Sequence, residues 1–375
     1  MKEEVGRDAG GAATGGSPAS RGFASRPDAA VRARRSGRRS RLASVVGALV
    51  VVALVGAACG EGPTASGQST TVPPGSTTTS STASPAPGRG PWSLPFVVAA
   101  GRHLAALSCP TAAFCVALDD LGTAYVFDNG LWSTGQALAP GATTGAKVMV
   151  SCTGPSFCLA APTGNQVNVW NGTAWGPPAA IPGAQHVQAL SCATSHSCVA
   201  IDALGATFLY DGSRWSTAAG TGGGPSAVSC ATPAFCAATV GGGIALWSGS
   251  AWTGQGTVDS TGQLLSVSCP SPAFCVAGDS DGSVVVWNGA AWSAPQTVDP
   301  STSTVTADNV LTGVSCAGST FCVAVDSGGR AVSFDGRTWS AMAQVGAGAA
   351  LSSVSCATST FCLAADTAGN VYAYR

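Results

Sequence analysis

An all-β fold, a seven-bladed β-propeller of four-stranded blades, is what this sequence predicts, and three observations carry the prediction. A Ser-Cys, five residues, Cys motif recurs seven times between Ser108 and Cys362, at a spacing near 40 residues. Between the motifs lie short apolar or alternating runs rich in Val and aromatics, such as Leu264 to Ser268, Phe274 to Ala277 and Ser283 to Trp287, broken by Gly, Pro and Asp. Helical periodicity is absent, so the period belongs to blades and not to a helical solenoid.

Within each blade the sequence places four strands. The first ends at Ser-Cys, the second starts near the second Cys, the third ends at an aromatic residue and the fourth starts at a Trp five positions later. Phe127 and Trp132, Trp170 and Trp175, Tyr210 and Trp215, Trp247 and Trp252, Trp287 and Trp292, and Phe334 and Trp339 are these pairs. Asn171-Gly172, Asp211-Gly212, Asn288-Gly289 and Asp335-Gly336 between them are hairpin signals, because Asn and Gly tolerate positive φ. The seventh repeat ends at Tyr374-Arg375 without its Trp strand. Gly90-Pro91-Trp92-Ser93 matches Gly130-Leu131-Trp132-Ser133 and precedes the first repeat, so an N-terminal strand completes the last blade and closes the ring. The propeller thus covers 92–375. Its repeats resemble those of bacterial β-propellers in the broad kelch, Asp-box and photosystem-assembly-factor group. Ser333-Phe334-Asp335-Gly336-Arg337-Thr338-Trp339 is similar to an Asp-box but one residue short.

Two segments precede the ring. Residues 1–58 form a basic cytoplasmic segment and a lipoprotein-type signal peptide: residues 1–41 carry ten basic groups against four acidic ones, and Leu42 to Ala58 is an apolar run behind Arg38-Arg39-Ser40-Arg41. Val55-Gly56-Ala57-Ala58-Cys59-Gly60 resembles a bacterial lipobox, with Gly56 where that pattern usually has Leu, which implies lipidation at Cys59; an uncleaved signal anchor is the alternative. Residues 59–91, rich in Ser, Thr, Pro and Gly, read as a disordered tether, since such a composition buries too little apolar surface to offset its chain entropy. The expected location is the extracytoplasmic face of the cell membrane, with the membrane itself as a partner through the anchor.

The remaining cysteines fall in seven pairs: Cys109 and Cys115, Cys152 and Cys158, Cys192 and Cys198, Cys230 and Cys236, Cys269 and Cys275, Cys316 and Cys322, Cys356 and Cys362. Each flanks a tight turn between neighbouring strands, where Cβ atoms come within bonding range, and an exported compartment lets a disulfide persist. Zinc ligation is the rival reading. The five-residue spacing and the lack of a recurring His argue against it. Ala117, Ala160, Ala200, Ala238, Ala277, Ala324 and Ala364, two residues after each second Cys, let neighbouring blades approach closely.

From Trp92 onward the chain has six basic residues, thirteen Asp and no Glu. That balance excludes nucleic-acid binding, which needs a cationic stripe. Asp119, Asp120, Asp202, Asp279, Asp281, Asp326 and Asp366, in loops between second and third strands, form the candidate binding face. Either they cap turns closed by Gly122, Gly205, Gly282, Gly329 and Gly369, or some line a polar funnel for a cation, sugar or peptide. Pro162 and Val240 replace Asp in repeats two and four. Asp279-Ser280-Asp281-Gly282 is a fragment of a calcium loop. His103, His186 and His196 have no nucleophile at a recognisable spacing, and Arg102, Arg214, Arg330, Arg337 and Arg375 are scattered, so no catalytic residue, metal or cofactor is assigned. The expected function is a non-enzymatic, monomeric binding or interaction module at the cell surface, for a protein, peptide or glycan. The alternatives are an envelope polysaccharide hydrolase or lyase using loop Asp residues, and a structural envelope assembly factor.

Overall fold

A computed structural model describes residues 91–142, 147–300, 308–346 and 348–375. The signal segment, Cys59 and the tether up to residue 90 lie outside the described residues. The described chain forms seven antiparallel sheets in a ring, with no helix. Blade 1 shows the pattern: Leu104–Thr111, Phe114–Asp119 and Thr123–Asp128 are its first three strands, and Leu131–Trp132 with Gln136–Ala137 make an interrupted fourth. Blades 2 to 6 start from Met149, Val187, Ala227, Leu264 and Leu311 and repeat it, except that the fourth strand is continuous in blades 3 and 4, Trp215–Ala218 and Trp252–Thr257. Blade 7 consists of Leu351–Thr358, Phe361–Asp366, Asn370–Tyr374 and, from the other end of the domain, Phe96–Val97.

The first strand of every blade is innermost, packed against the first strands on either side around the complete circle. What joins them is the Ser of the Ser-Cys motif. Its Oγ accepts a hydrogen bond from the Cys amide of the following blade, Ser108 from Cys152, Ser151 from Cys192 and so on to Ser355 from Cys109, all at 2.8–3.0 Å. The geometry follows from strand pairing. Each first Cys faces its partner directly across the hairpin, with Cα atoms 3.9–4.1 Å apart, at a position where the amides of an antiparallel pair point away from each other. One register position therefore places the sulfurs for a disulfide and frees the N–H for the neighbouring blade. Seven disulfides within blades result.

The core is seven slabs, one between each pair of blades. In each, the second Cys and the Ala two residues later face the preceding blade, and all seven alanines are fully buried. A methyl is all that fits where second strands approach branched side chains such as Val116 and Leu118, which pack on Ala160.

Closure follows the matched segment. Trp92 pairs with Tyr374, their rings edge-on at 5.4 Å, as Trp132 pairs with Phe127 at 5.3 Å. The Ser93 amide donates to the Ala373 carbonyl (2.8 Å), the Ala373 amide to Ser93 Oγ (2.9 Å), and the Arg375 amide to the Pro91 carbonyl (2.9 Å). Trp92 enters the slab between blades 6 and 7, whereas Phe96 and Val98 pack on the slab between blades 7 and 1. The clasp continues at Gly369, at φ 92°, whose carbonyl accepts from the amides of Val98 and Ala99. A side chain at this residue would collide with the Ala99 carbonyl.

The hairpin turns differ from expectation in detail. Only blade 1 has a two-residue turn with both residues at positive φ, Asn129 (48°) and Gly130 (97°). In blades 2, 3, 5 and 6 the aromatic pairs directly with the Trp over a four-residue loop, which Asn171, Asp211, Asn288 or Asp335 closes by accepting two backbone amides on Oδ1. The Asp-box-like segment Ser333 to Trp339 is one of these loops.

Buried indoles at the fourth strand expose one local defect. Trp252 Nε1 donates to Thr207 Oγ1 of the preceding blade at 3.0 Å, but the indole N–H groups of Trp175, Trp292 and Trp339 are buried without an acceptor. The strand register explains this: the residue equivalent to Thr207 is Ala124, Ile244 or Val284 in the blade before each orphan. Replacing Val284 by Thr should therefore raise the thermal midpoint by about 2–4 °C, since an acceptor for a buried donor is worth ~1 kcal/mol. Val→Thr in an ordinary core site lowers it, so the sign of the change in a calorimetric scan decides.

Candidate functional site

Antiparallel alternation puts the Cys turns and the Asn-Gly turns on one face, and the second-to-third-strand loops and blade connections on the other. On this second face Asp119, Asp202, Asp279, Asp326 and Asp366 are buried, Asp120 is half-buried and Asp281 exposed. The buried five do one job. Oδ1 accepts from the backbone amide four residues on, and in blades 1, 3, 5 and 7 also from the one two residues on, which closes the loop. Blades 2 and 4 lack the Asp because they do not need it. Thr163 pairs with Gln166 and Val240 with Gly243, so these blades turn in two residues and leave no wide loop to cap.

The second oxygen of each Asp meets a different partner. Asp119 Oδ2 accepts from Arg102 Nη2 (2.9 Å) and Nε (3.1 Å), and Asp366 Oδ2 from Tyr372 Oη (2.9 Å) and Asn370 Nδ2 (2.8 Å). In blade 6 Asp326 Oδ2 accepts from Arg330 Nε (2.7 Å), and in blades 5 and 6 the carboxylate also stands against another from the preceding connection, Asp279 against Asp259 and Asp326 against Asp299. Burial, and then the bond with Asp259, push Asp279 up to about 6. Asp259 is held below the ordinary carboxylate range: burial opposes this, but the bonds from Asp279, Thr261 and the Gly262 amide together outweigh it. Burial, and then the hydrogen bond and charge of Asp326, push Asp299 up to about 7. Arg330 sits at the centre of this cluster, with Nε 2.7 Å from Asp326, Nη2 3.1 Å from Asp299, and Nη2 donating to the Asp308 carbonyl at 2.8 Å.

A pH dependence follows with a definite sign. Asp279 and Asp299 have folded values above the unfolded one, so the stability they contribute is full below about pH 4 and is lost as pH rises through 6 and 7. The lowered Asp259 works the other way, its contribution failing only as pH falls below the usual carboxylate range. The thermal midpoint should therefore be several degrees higher at pH 5 than at pH 8, and Asp299→Asn should flatten that profile. A midpoint that rises from pH 5 to pH 8 would contradict the assignment.

Open space lies elsewhere, in grooves between blades. The broadest of those described, about 750 Å³, runs between blades 1 and 2 and includes Trp132, Ser133, Thr134, Trp170, Thr173 and Trp175. A second, between blades 6 and 7, is lined by Trp92, Ser333, Ser340 and Tyr374. A third lies between blades 7 and 1, with Phe96, Phe127, Trp132 and Phe361. None of the seven candidate Asp residues, and neither Asp259, Asp299 nor Arg330, lines these grooves. Lys147, the lysine of the ring domain, crosses from the start of blade 2 to the Ser226 carbonyl at the start of blade 4 (2.5 Å); desolvation lowers its amine to about 8, although its surface is exposed.

Sequence reading did not foresee three functional placements: the Ser ring, the carboxylate pairs and the interblade grooves. The first was signalled by Ser before every first Cys. The second was signalled by Val258-Asp259 and Val298-Asp299 at equivalent places in successive blades.

No protein-family model matches the sequence, and no curated protein does. Solved structures match its fold. YCF48 bound to D1 peptide superposes with a TM-score of 0.60 at 13% identity, over 77% of this chain and 98% of that one. The RRP9 WD40 repeats give 0.62 at 10% identity, over 74% and 96%. YCF48 from Cyanidioschyzon merolae gives 0.56 at 13%, over 76% and 98%. At such identities the likeness is one of fold: a seven-bladed propeller with WD40-like neighbours.

Proposed function

We propose that this chain is an exported, lipid-anchored propeller acting as a non-enzymatic binding module at the cell surface. The observation that carries the reading is a division of labour among side chains. The five buried Asp of the second face close loops or pair with other carboxylates, whereas the grooves are walled largely by Trp, Ser and Thr, with Asp128 the one Asp among their described linings. Hydrolysis of a glycosidic bond needs two carboxyl groups facing one substrate space, so this arrangement favours binding over a hydrolase or lyase. A rigid ring that presents grooves and variable connections also suits recognition. Peptide and protein ligands fit this architecture, as the D1 peptide bound to YCF48 illustrates for that protein. Anchorage rests on the lipobox-like segment ending at Cys59, and export is supported by the seven cysteine pairs.

Crosslinking on intact cells, followed by purification of the full chain, tests the reading. Specific extracytoplasmic partners or glycans are the expected product. A protein retained inside the cell, or one that recovers nothing and hydrolyses a polysaccharide panel, would overturn it.

A further inference from the structure

On the face of the blade connections the first strands begin around the mouth of the ring's central channel, because these strands are the innermost of each blade. Register identifies the residue just before each start. Leu104 pairs with Asp119 and Val187 with Asp202, so His103 and His186 hold this place in blades 1 and 3, and their carbonyls accept the matching amides of Asp120 and Ala203. Blade 2 lacks the bulge at the start of its first strand. Met149 pairs with Ala161 and Val150 with Ala160 in unbroken register, so Val148 takes the core place of Leu104, and Lys147 the place of His103. Three consecutive blades thus bring His, Lys and His to the mouth, where blades 5, 6 and 7 have Gln263, Val310 and Ala350.

Lys147 does not stay on its own blade. Its Nζ donates to the Ser226 carbonyl at the start of blade 4, although blade 3 stands between and its first strand packs on both neighbours. The side chain therefore lies as a chord across the mouth, and it is exposed there. Arg102 on this face is paired with Asp119, and Arg330 with Asp299, Asp308 and Asp326, whereas no described carboxylate lies within ion-pair distance of Lys147. An ammonium has three donors, and Ser226 takes one. Desolvation with no counter-charge lowers the amine to about 8, so below that pH the charged Lys147 costs the fold stability that a neutral side chain would not.

We propose that Lys147 and the Ser226 carbonyl form a binding site for the free C-terminal residue of a peptide, a proposal that rests on the binding-module reading and names one of its sites. Nζ and the carbonyl oxygen lie one hydrogen bond apart and present a charged donor beside a strong acceptor. The last residue of a peptide carries the complement on its own backbone, a carboxylate that accepts and an amide N–H that donates. The carboxylate takes Nζ from the Ser226 carbonyl, and that carbonyl accepts the peptide N–H in return. The ligand so supplies the counter-charge that Lys147 lacks, through a charge-assisted hydrogen bond. His103 and His186 stand on the flanking blades with a ring N–H each.

The test uses the full-length, detergent-solubilised chain. The probes are two random N-acetylated tripeptide libraries, one ending in a free carboxylate and one in a carboxamide, with trigalacturonate as an acidic sugar; retained ligand is measured by mass spectrometry. Members of the free-acid library should be retained and their amides lost. For the tightest member, Lys147→Met should weaken binding by about tenfold or more, while Lys147→Arg stays within about threefold. The thermal midpoint of Lys147→Met at pH 7 should hold or rise, which separates a ligand role from a structural one. Retention of neither library, equal retention of acids and amides, binding of trigalacturonate alone, unchanged affinity in Lys147→Met, or loss of affinity together with a lowered midpoint would overturn the proposal. If cell-surface crosslinking then still captures partners equally with wild type and Lys147→Met, this site falls and the binding-module reading stands; if neither experiment finds a ligand, both fall.

Discussion

Deleting residues 91–97 from the full chain should open the ring. The segment supplies the outer strand of blade 7, puts Trp92 into one interblade slab and Phe96 against the next. Without it the edge of Asn370–Tyr374 loses its partners, and an unpaired strand edge is a template for association. The expected result is a midpoint lowered by more than 10 °C, a broadened transition and oligomers on size exclusion. Trp92→Ala is the milder test. Removing a buried Trp costs about 3 kcal/mol, or roughly 6–12 °C for a domain of this size. A deletion variant that unfolds as cooperatively as the parent, within 2 °C of it, would show that closure is unimportant.

Reduction should have the largest effect of all. Each disulfide joins cysteines six positions apart, and loop-closure entropy for so small a loop gives about 2 kcal/mol per bond. Seven such bonds together rival the whole net stability of a typical domain, about 5–15 kcal/mol. The interblade contacts cannot readily replace them, because the core contains many small residues and the seven alanines contribute only methyl groups. Treatment with a thiol reductant followed by alkylation should therefore give a largely unfolded chain at 37 °C, read by near-UV circular dichroism. Each single pair changed to Ala should cost about 2 kcal/mol. Retention of the native spectrum after complete alkylation would contradict the stapled-core account.

The ring was legible in the sequence because each repeat carries its own strand and turn chemistry, and the surplus Trp92 segment matches the element that blade 7 lacks. The disulfides were legible for the same reason, since Cys positions six apart across a hairpin meet in one register. The site was less so. Asp119 and its equivalents stand in loops on the face where ligands often bind, and nothing local tells a capping carboxylate from an exposed one. Their burial depends on loop width, which is why Asp is absent where Thr163 to Gln166 and Val240 to Gly243 turn tightly. The pairing of Asp299 with Asp326 and the groove beside Trp175 each join two blades. A single repeat read alone holds neither.

The proposal of an exported ring with blade-local staples is tested most directly by a non-reducing peptide map of the native full-length protein after proteolysis. The account predicts seven linked pairs, from Cys109–Cys115 to Cys356–Cys362, no free thiol among the fourteen, and an N-terminal peptide beginning at an acylated Cys59. Free thiols in the ring, or bonds crossing from one blade to another, would contradict it.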